Sequence, residues 1–207
     1  MTLERLIRLS ADWGSEIYVI PSLNANTLKV VALNGERTVA ILGFAEGRLE
    51  GPIRLFAHML PGEFEGVEVR DGKLVVRVDG EWREVGEPTD LKWELPEAER
   101  WYNFPYGVVK RILEIARKEW LMGDLIRFTV KEGRMRVSGC GLSYTALAEG
   151  EGEYKVALRL RTLADALRAF KIAGLVPGSI GFAPMKLLTL VQLRGGWLRA
   201  YIAPFIE

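Results

Sequence analysis

Hydrophobic positions along this chain keep two periods, that of a helix and that of a strand, and the order in which they recur organises the sequence. Between Thr2 and Asp12, Leu3, Leu6 and Ile7 share a helical face that Trp13 extends, with Glu4, Arg5, Arg8 and Asp12 elsewhere. Strand-length runs follow over Glu16 to Ile20, Thr27 to Leu33 and Arg37 to Phe44, the last two divided by the tight-turn dipeptide Asn34-Gly35. Pro52 to Leu60 reads as a strand end and a short helix. Strands over Gly66 to Arg70, Lys73 to Val78 and Glu81 to Val85 are joined at Asp71-Gly72 and Asp79-Gly80.

From Gly86 to Pro105 neither period holds. Pro88, Pro96 and Pro105 with many charges mark a connection between domains, while Trp93, Trp101, Tyr102 and Phe104 are apolar enough to pack, with a strand near Arg100 to Phe104. The helical period then returns over Tyr106 to Trp120, with Val109, Ile112, Leu113, Ala116 and Trp120 inward and Lys110, Arg111, Glu114, Arg117 and Lys118 outward. Strands follow at Leu125 to Val130, Arg134 to Ser138, Leu142 to Ala148 and Tyr154 to Leu160. A helix from Thr162, its expected N-cap, to Ala173 turns Leu163, Leu167 and Phe170 inward and ends before Pro177-Gly178. Strands at Ser179 to Phe182, Leu187 to Leu193 and Trp197 to Ile202 close the chain, the last two joined across Gly195-Gly196. Each half therefore reads helix, strands, helix, strands, a duplication of pattern within an α+β chain. The expected organisation is a domain over residues 1–87, a connector over 88–105 and a second domain over 106–207.

Charge adds to this picture. The chain carries 28 Lys plus Arg and 27 Asp plus Glu, net +1, but residues 1–95 hold 11 basic and 16 acidic, net −5, and residues 96–207 hold 17 and 11, net +6. Such asymmetry suits nucleic-acid contact or head-to-tail association of identical chains. Candidate chemistry is sparse. One Cys, Cys140, excludes an internal disulfide, and with one His it cannot build a Cys/His zinc site. His58 lies among Leu55, Phe56, Ala57, Met59 and Leu60 and reads as structural. No phosphate-binding GxxxxGK[ST] or GxGxxG is present. No catalytic residue, metal or cofactor is expected, although carboxylate-based hydrolysis stays open in a chain with so many acids. No run of about 18 apolar residues suggests a membrane span, and Glu4, Arg5 and Arg8 interrupt what would be a signal peptide, so a cytoplasmic location is expected. One Gln, four Asn and one Cys in a chain 27% charged suit a thermophilic source.

The duplicated order, the proline-containing connector and the ending Tyr201-Ile202-Ala203-Pro204-Phe205-Ile206-Glu207 resemble the DNA sliding clamps, whose archaeal and eukaryotic members end in a similar Tyr-Leu-Ala-Pro-x-Ile-Glu. The stretches Leu28 to Ile41 and Thr129 to Gly139 look more like the clamp of T-even bacteriophages, which would place the chain in a host cytoplasm if phage-encoded. The chain departs from the family in being shorter and in starting its first helix almost at Met1. The resemblance implies a duplicated DNA-clamp fold, two similar domains each with two helices packed on antiparallel sheets. It also implies a head-to-tail homotrimeric ring around double-stranded DNA, a clamp loader, and a DNA polymerase tail peptide as partner, in a non-enzymatic processivity factor for DNA replication.

The residues that match these roles follow from the resemblance. A lining that holds phosphates without reading bases would use Arg5, Arg8, Lys110, Arg111, Arg117, Lys118, Arg161, Arg168 and Lys171. On the two helices of the second half, these cations outweigh Glu114, Glu119 and Asp165. Protomers would meet through strand edges bearing Glu81, Trp82, Arg83 and Val85 on one side and Leu142, Tyr144 and Ala146 on the other. A partner peptide would dock on Ala40, Ile41, Leu91, Trp93, Tyr201, Ile202, Ala203 and Pro204, with Tyr201 and Pro204 as its walls and Ile202 as core. Two rival functions stay open: a clamp-fold platform acting as a monomer or in transcription or repair, and a virion or assembly protein with no DNA role.

Overall fold

The computed structural model of the chain describes residues 1–22, 26–91, 95–118, 121, 123–148, 152–182, 188–192 as backbone, and 198–205. Trp93, Glu119, Trp120, Gly195 and Gly196, singled out above, lie outside the described residues. The chain divides into two compact units, Met1–Glu94 and Leu95–Glu207.

The first unit opens with α1 (Leu3–Trp13), whose Thr2 cap accepts a hydrogen bond from the Arg5 amide at 3.3 Å. Strands β1 (Glu16–Pro21), β2 (Thr27–Leu33), β3 (Val39–Glu46) and β4 (Ile53–Phe56) follow, then a single 3-10 turn (Ala57–Met59), β5 (Gly66–Arg70), β6 (Lys73–Val78), β7 (Glu81–Glu84) and β8 (Glu87–Pro88). Five strands pair in the order β8-β4-β1-β2-β3, and β5-β6-β7 form a separate meander. Helix α1 packs on β1, β2, β3 and β5, burying Leu6 and Ile7 against the sheet.

The second unit runs β9 (Arg100–Asn103), α2 (Tyr106–Ile115), β10 (Leu125–Lys131), β11 (Arg134–Gly139), β12 (Leu142–Leu147), β13 (Tyr154–Arg159), α3 (Leu160–Ile172), β14 (Pro177–Phe182), β15 (Leu188–Gln192) and β16 (Leu198–Ile202). Its strands pair as β12-β11-β10-β13 and as β16-β15-β14-β9. In β10 and β11 alternate residues point inward, Ile126, Phe128 and Val130 beside Met135 and Val137, as a sheet with one core face requires. The fold is α+β with antiparallel sheets, as the periodicity predicts.

Several local expectations change. The second helix of the first half is reduced to the 3-10 turn. His58 stands exposed on it, its ring 5.7 Å from that of Phe56. Asn34-Gly35 is not a two-residue turn, because β3 begins at Val39 and residues 34–38 form the connection. There the Asn34 carboxamide oxygen accepts from the amides of Thr38 (2.8 Å) and Val39 (3.0 Å), and Arg37 takes the left-handed conformation at φ 54°. Thr162 does not cap α3. Strand β13 runs straight into the helix, which starts two residues earlier behind Arg159, and Thr162 is buried within it.

Candidate nucleic-acid interface

Helix α2 begins directly after Pro105, whose extended backbone ends the preceding segment; it has no side-chain cap and no acid in its first turn. Its core face is Val108, Val109, Ile112 and Ile115, with Ala116 just beyond. That face is rotated from the one the periodicity predicts, and it leaves Leu113 half-buried at the margin. Helix α3 is buried on nearly every side, so its exposed surface is a narrow stripe of Arg161, Arg168, Lys171 and Ile172. It too lacks a side-chain cap and an acid in its first turn.

The two helices pack together within the second unit and border an open cleft of about 590 Å³. Lys110 and Arg117 come to it from the α2 side, Arg168 and Lys171 from α3. These four predicted cations therefore meet in one groove. Glu114 also borders it, engaged by Arg111 at 3.2 Å, and Arg168 pairs with Asp165 at 3.3 Å. Lys110, Arg117, Lys118 and Lys171 make no ion pair among the described residues. Their charge is left to solvent or to an anion. Arg111 on α2 and Arg161 on α3 are exposed outside the groove lining, as is Lys118, three residues past the end of α2.

In the first unit Arg5 is exposed, and Arg8 is half-buried with its guanidinium engaged by neighbours. Its guanidinium pairs with Glu4 at 3.0 Å, donates to the Phe64 carbonyl and lies 4.1 Å above the Phe64 ring. Arg8 thus ties α1 to the segment before β5 while its side chain stays 40% exposed.

The expected docking residues fare unevenly. Ala40 and Ile41 are buried in β3, and Ile202 is buried in β16. Tyr201, expected as a wall of the docking site, is at 3% exposure. Ala203 and Pro204 are half-buried, Leu91 is 42% exposed, and Trp93 lies outside the described residues. Sequence reasoning missed Phe205. Its amide donates to the Ala157 carbonyl at 2.8 Å and its ring lies 5.1 Å under Arg159, so the tail is tied to β13.

The expected protomer edges are outer strands of their own sheets. Along β7, Glu84 pairs with Lys73 at 2.8 Å, Glu81 with Arg83 at 3.9 Å, and Trp82 lies under Arg70 at 4.0 Å. Just past β7, the half-buried Val85 donates its amide to the Leu74 carbonyl at 3.0 Å. Along β12, half-buried Leu142, Tyr144 and Ala146 alternate with exposed Ser143, Thr145 and Leu147.

Among the described residues no three His, Cys, Asp or Glu side chains gather as metal ligands. Burial, with Asp124 nearby, pushes the Cys140 thiol up and away from the reactive thiolate. Among the described residues no helix is long and apolar enough to cross a membrane.

No protein-family model matches the sequence, and no curated protein matches it. Solved structures do match. DNA polymerase III subunit beta from Borrelia burgdorferi aligns with 98% of this chain and 61% of its own, at 14% identity and a TM-score of 0.65. The DnaN sliding clamp of Pseudomonas aeruginosa gives 13% identity and 0.61 over 98% of this chain and 63% of its own. The PCNA2–PCNA3 complex from Sulfolobus tokodaii gives 17% and 0.55 over 98% of this chain and 95% of its own. The fold is thus that of the DNA sliding clamps. The chain spans less than two thirds of the length of the bacterial clamps it matches and nearly the whole of the archaeal one.

Proposed function

We propose that this chain is a sliding clamp that encircles duplex DNA as a head-to-tail ring and tethers a DNA polymerase for processive replication, without enzymatic activity of its own. The observation that carries the reading is the α2–α3 groove, where Lys110, Arg117, Arg168 and Lys171 converge on a fold shared with the sliding clamps. Cations on helix surfaces reach phosphates but not base edges, so binding is weak, independent of sequence and steeply dependent on salt. Retention then comes from ring topology. The free edges of β7 and β12 are the places for head-to-tail closure, and Ala203 and Pro204 keep exposed surface for the tethered enzyme.

The test is retention on DNA after loading. On nicked circular plasmid the protein remains through gel filtration, and linearising the plasmid releases it. The triple variant Lys110→Glu, Arg117→Glu, Lys171→Glu loses retention at least tenfold while keeping the wild-type melting temperature and native mass. Unchanged retention by that variant would place DNA on another surface, and equal retention on linear and circular DNA would remove the ring from the mechanism.

A further inference from the structure

A lining for duplex DNA needs cations that reach phosphates and has no use for an apolar recess, because the bases of a duplex are stacked inward. The α2–α3 groove has such a recess. Its lining includes an apolar part, here called its floor, made of Val109, Leu113 and Val176, the last 38% exposed, and Tyr106, 62% exposed, lines it too. Ile172, 48% exposed, follows Lys171 on α3 but lies outside the groove lining. Beside Tyr106, a side chain built on Gly107 meets nothing within 4 Å, so the approach to the α2 N-terminus is open. An aromatic residue displayed over an apolar floor, with Lys110, Arg117, Arg168 and Lys171 around it, is complementary to a ligand that is flat and apolar in one part and anionic in the next.

We propose that the groove holds an unpaired nucleotide of single-stranded DNA, its base against Tyr106 and the apolar floor and its flanking phosphates on Lys110, Arg117, Arg168 and Lys171. The assignment rests on the reading of this face as DNA-facing and adds a second DNA form to it. Stacking on a tyrosine ring accepts any base, so the site shares the sequence independence of the lining. The volume, about 590 Å³, falls in the range of small-ligand clefts, roughly 300–1,000 Å³. An acidic amphipathic helix fits less well, because it requires an apolar strip along a whole helix face, whereas Lys110, Glu114 and Arg117 interrupt this one at every turn.

Fluorescence anisotropy at low salt separates the possibilities with three labelled probes of equal length: oligo-dT, an abasic deoxyribose-phosphate strand, and a duplex. The wild-type chain is expected to bind oligo-dT about tenfold more tightly than the abasic strand. Tyr106→Ala removes that difference, Tyr106→Phe keeps it, and duplex affinity changes by less than about twofold in both. Equal binding of oligo-dT and the abasic strand by the wild type would overturn the base site while leaving the clamp reading intact. So would a Tyr106→Ala loss that is the same for all three probes, or competition by a synthetic Glu/Leu amphipathic peptide in a protein that ignores oligo-dT. Binding to none of the three probes would overturn the base site as well, while the clamp reading would still be decided by retention on nicked circular plasmid.

Discussion

At the scale of single residues, a buried carboxylate held by an exposed guanidinium makes part of the first unit's stability depend on pH. Glu16 begins β1 at 7% exposure, and its carboxylate accepts hydrogen bonds from Arg37 and from the Tyr18 hydroxyl, the latter at 2.7 Å. The Arg37 hydrogen bond, then the Tyr18 one, hold the Glu16 carboxyl below its ordinary value of 4.5. A carboxyl whose folded pKa lies below its unfolded one contributes stability above the unfolded value and loses it as pH falls through the folded value. Glu16→Gln keeps the volume and removes the charge, and is expected to cost about 1–3 kcal/mol in urea unfolding at pH 7. Below about pH 4.5 the difference from wild type should narrow, first as the unfolded carboxyl takes up its proton, and the charge contribution is gone once the native carboxyl has followed. A difference that stays constant down to pH 3 would mean that the carboxyl contributes through packing rather than charge. Nothing in the local sequence marks this cluster, since Arg37 reaches Glu16 only because β1 and β2 pair with Glu16 opposite Leu33.

At the scale of elements, hairpins carry their own instructions and helices do not. Asp71-Gly72, Asp79-Gly80, Glu132-Gly133 and Cys140-Gly141 all take positive φ at both residues, which closes two-residue turns with the twist that antiparallel strands need. The β5-β6-β7 and β10-β11 strands are accordingly legible to within a residue. Helix faces depend on what they pack against: the buried side of α2 shifts toward Val108 and Ile115, and Leu113 becomes groove lining through its neighbour α3. The groove cations were readable as outward positions of two helices, but its apolar floor unites Val109 with Val176, a juxtaposition that no periodicity encodes. Gly139, the last residue of β11 before the Cys140-Gly141 turn, is tightly constrained. It has φ 127°, and a Cβ there would lie 2.1 Å from the Leu125 carbonyl oxygen on the neighbouring strand. Gly139→Ala is expected to destabilise the protein by about 2 kcal/mol or more, through backbone strain and displacement of β10. Thermal unfolding measures the cost, and hydrogen exchange should place the loss of protection in β10, β11 and β12 rather than in β1 to β3. A melting temperature within a degree of wild type would mean that the hairpin shifts without cost.

At the scale of the molecule, the outer edges β7 and β12 differ in a way that suits the proposed heterologous closure. Strand β12 carries no charge from Leu142 to Leu147 and ends in a leucine 85% exposed, without the lysine or proline that usually guards an edge. Strand β7 is charged, but its acids are engaged by Lys73 and Arg83, so it offers main-chain groups and Trp82 rather than a field that would repel a neighbour. Pairing one copy's β12 with the next copy's β7 would satisfy both edges. The −5 of residues 1–95 and the +6 of residues 96–207 would draw unlike units together over distances up to about 10 Å at ordinary salt. Thr145→Lys with Leu147→Lys places two charges on the exposed positions of the β12 edge while leaving Leu142, Tyr144 and Ala146 in place. Native mass spectrometry of the wild type is expected to show a closed multimer, three chains in the form that the clamp resemblance implies, and the double variant the single chain of 23.2 kDa. Both should melt at the same temperature once subunit concentration is low enough to dissociate the wild type, because the substituted positions are solvent-exposed in the single chain. The variant should also lose retention on nicked circular DNA, although every groove cation is intact. A wild type that remains at 23.2 kDa at micromolar concentration and low salt would remove ring closure from the mechanism. A double variant that still assembles would move the contact to another strand, with β5 and β13 as the opposite edges of the same two sheets.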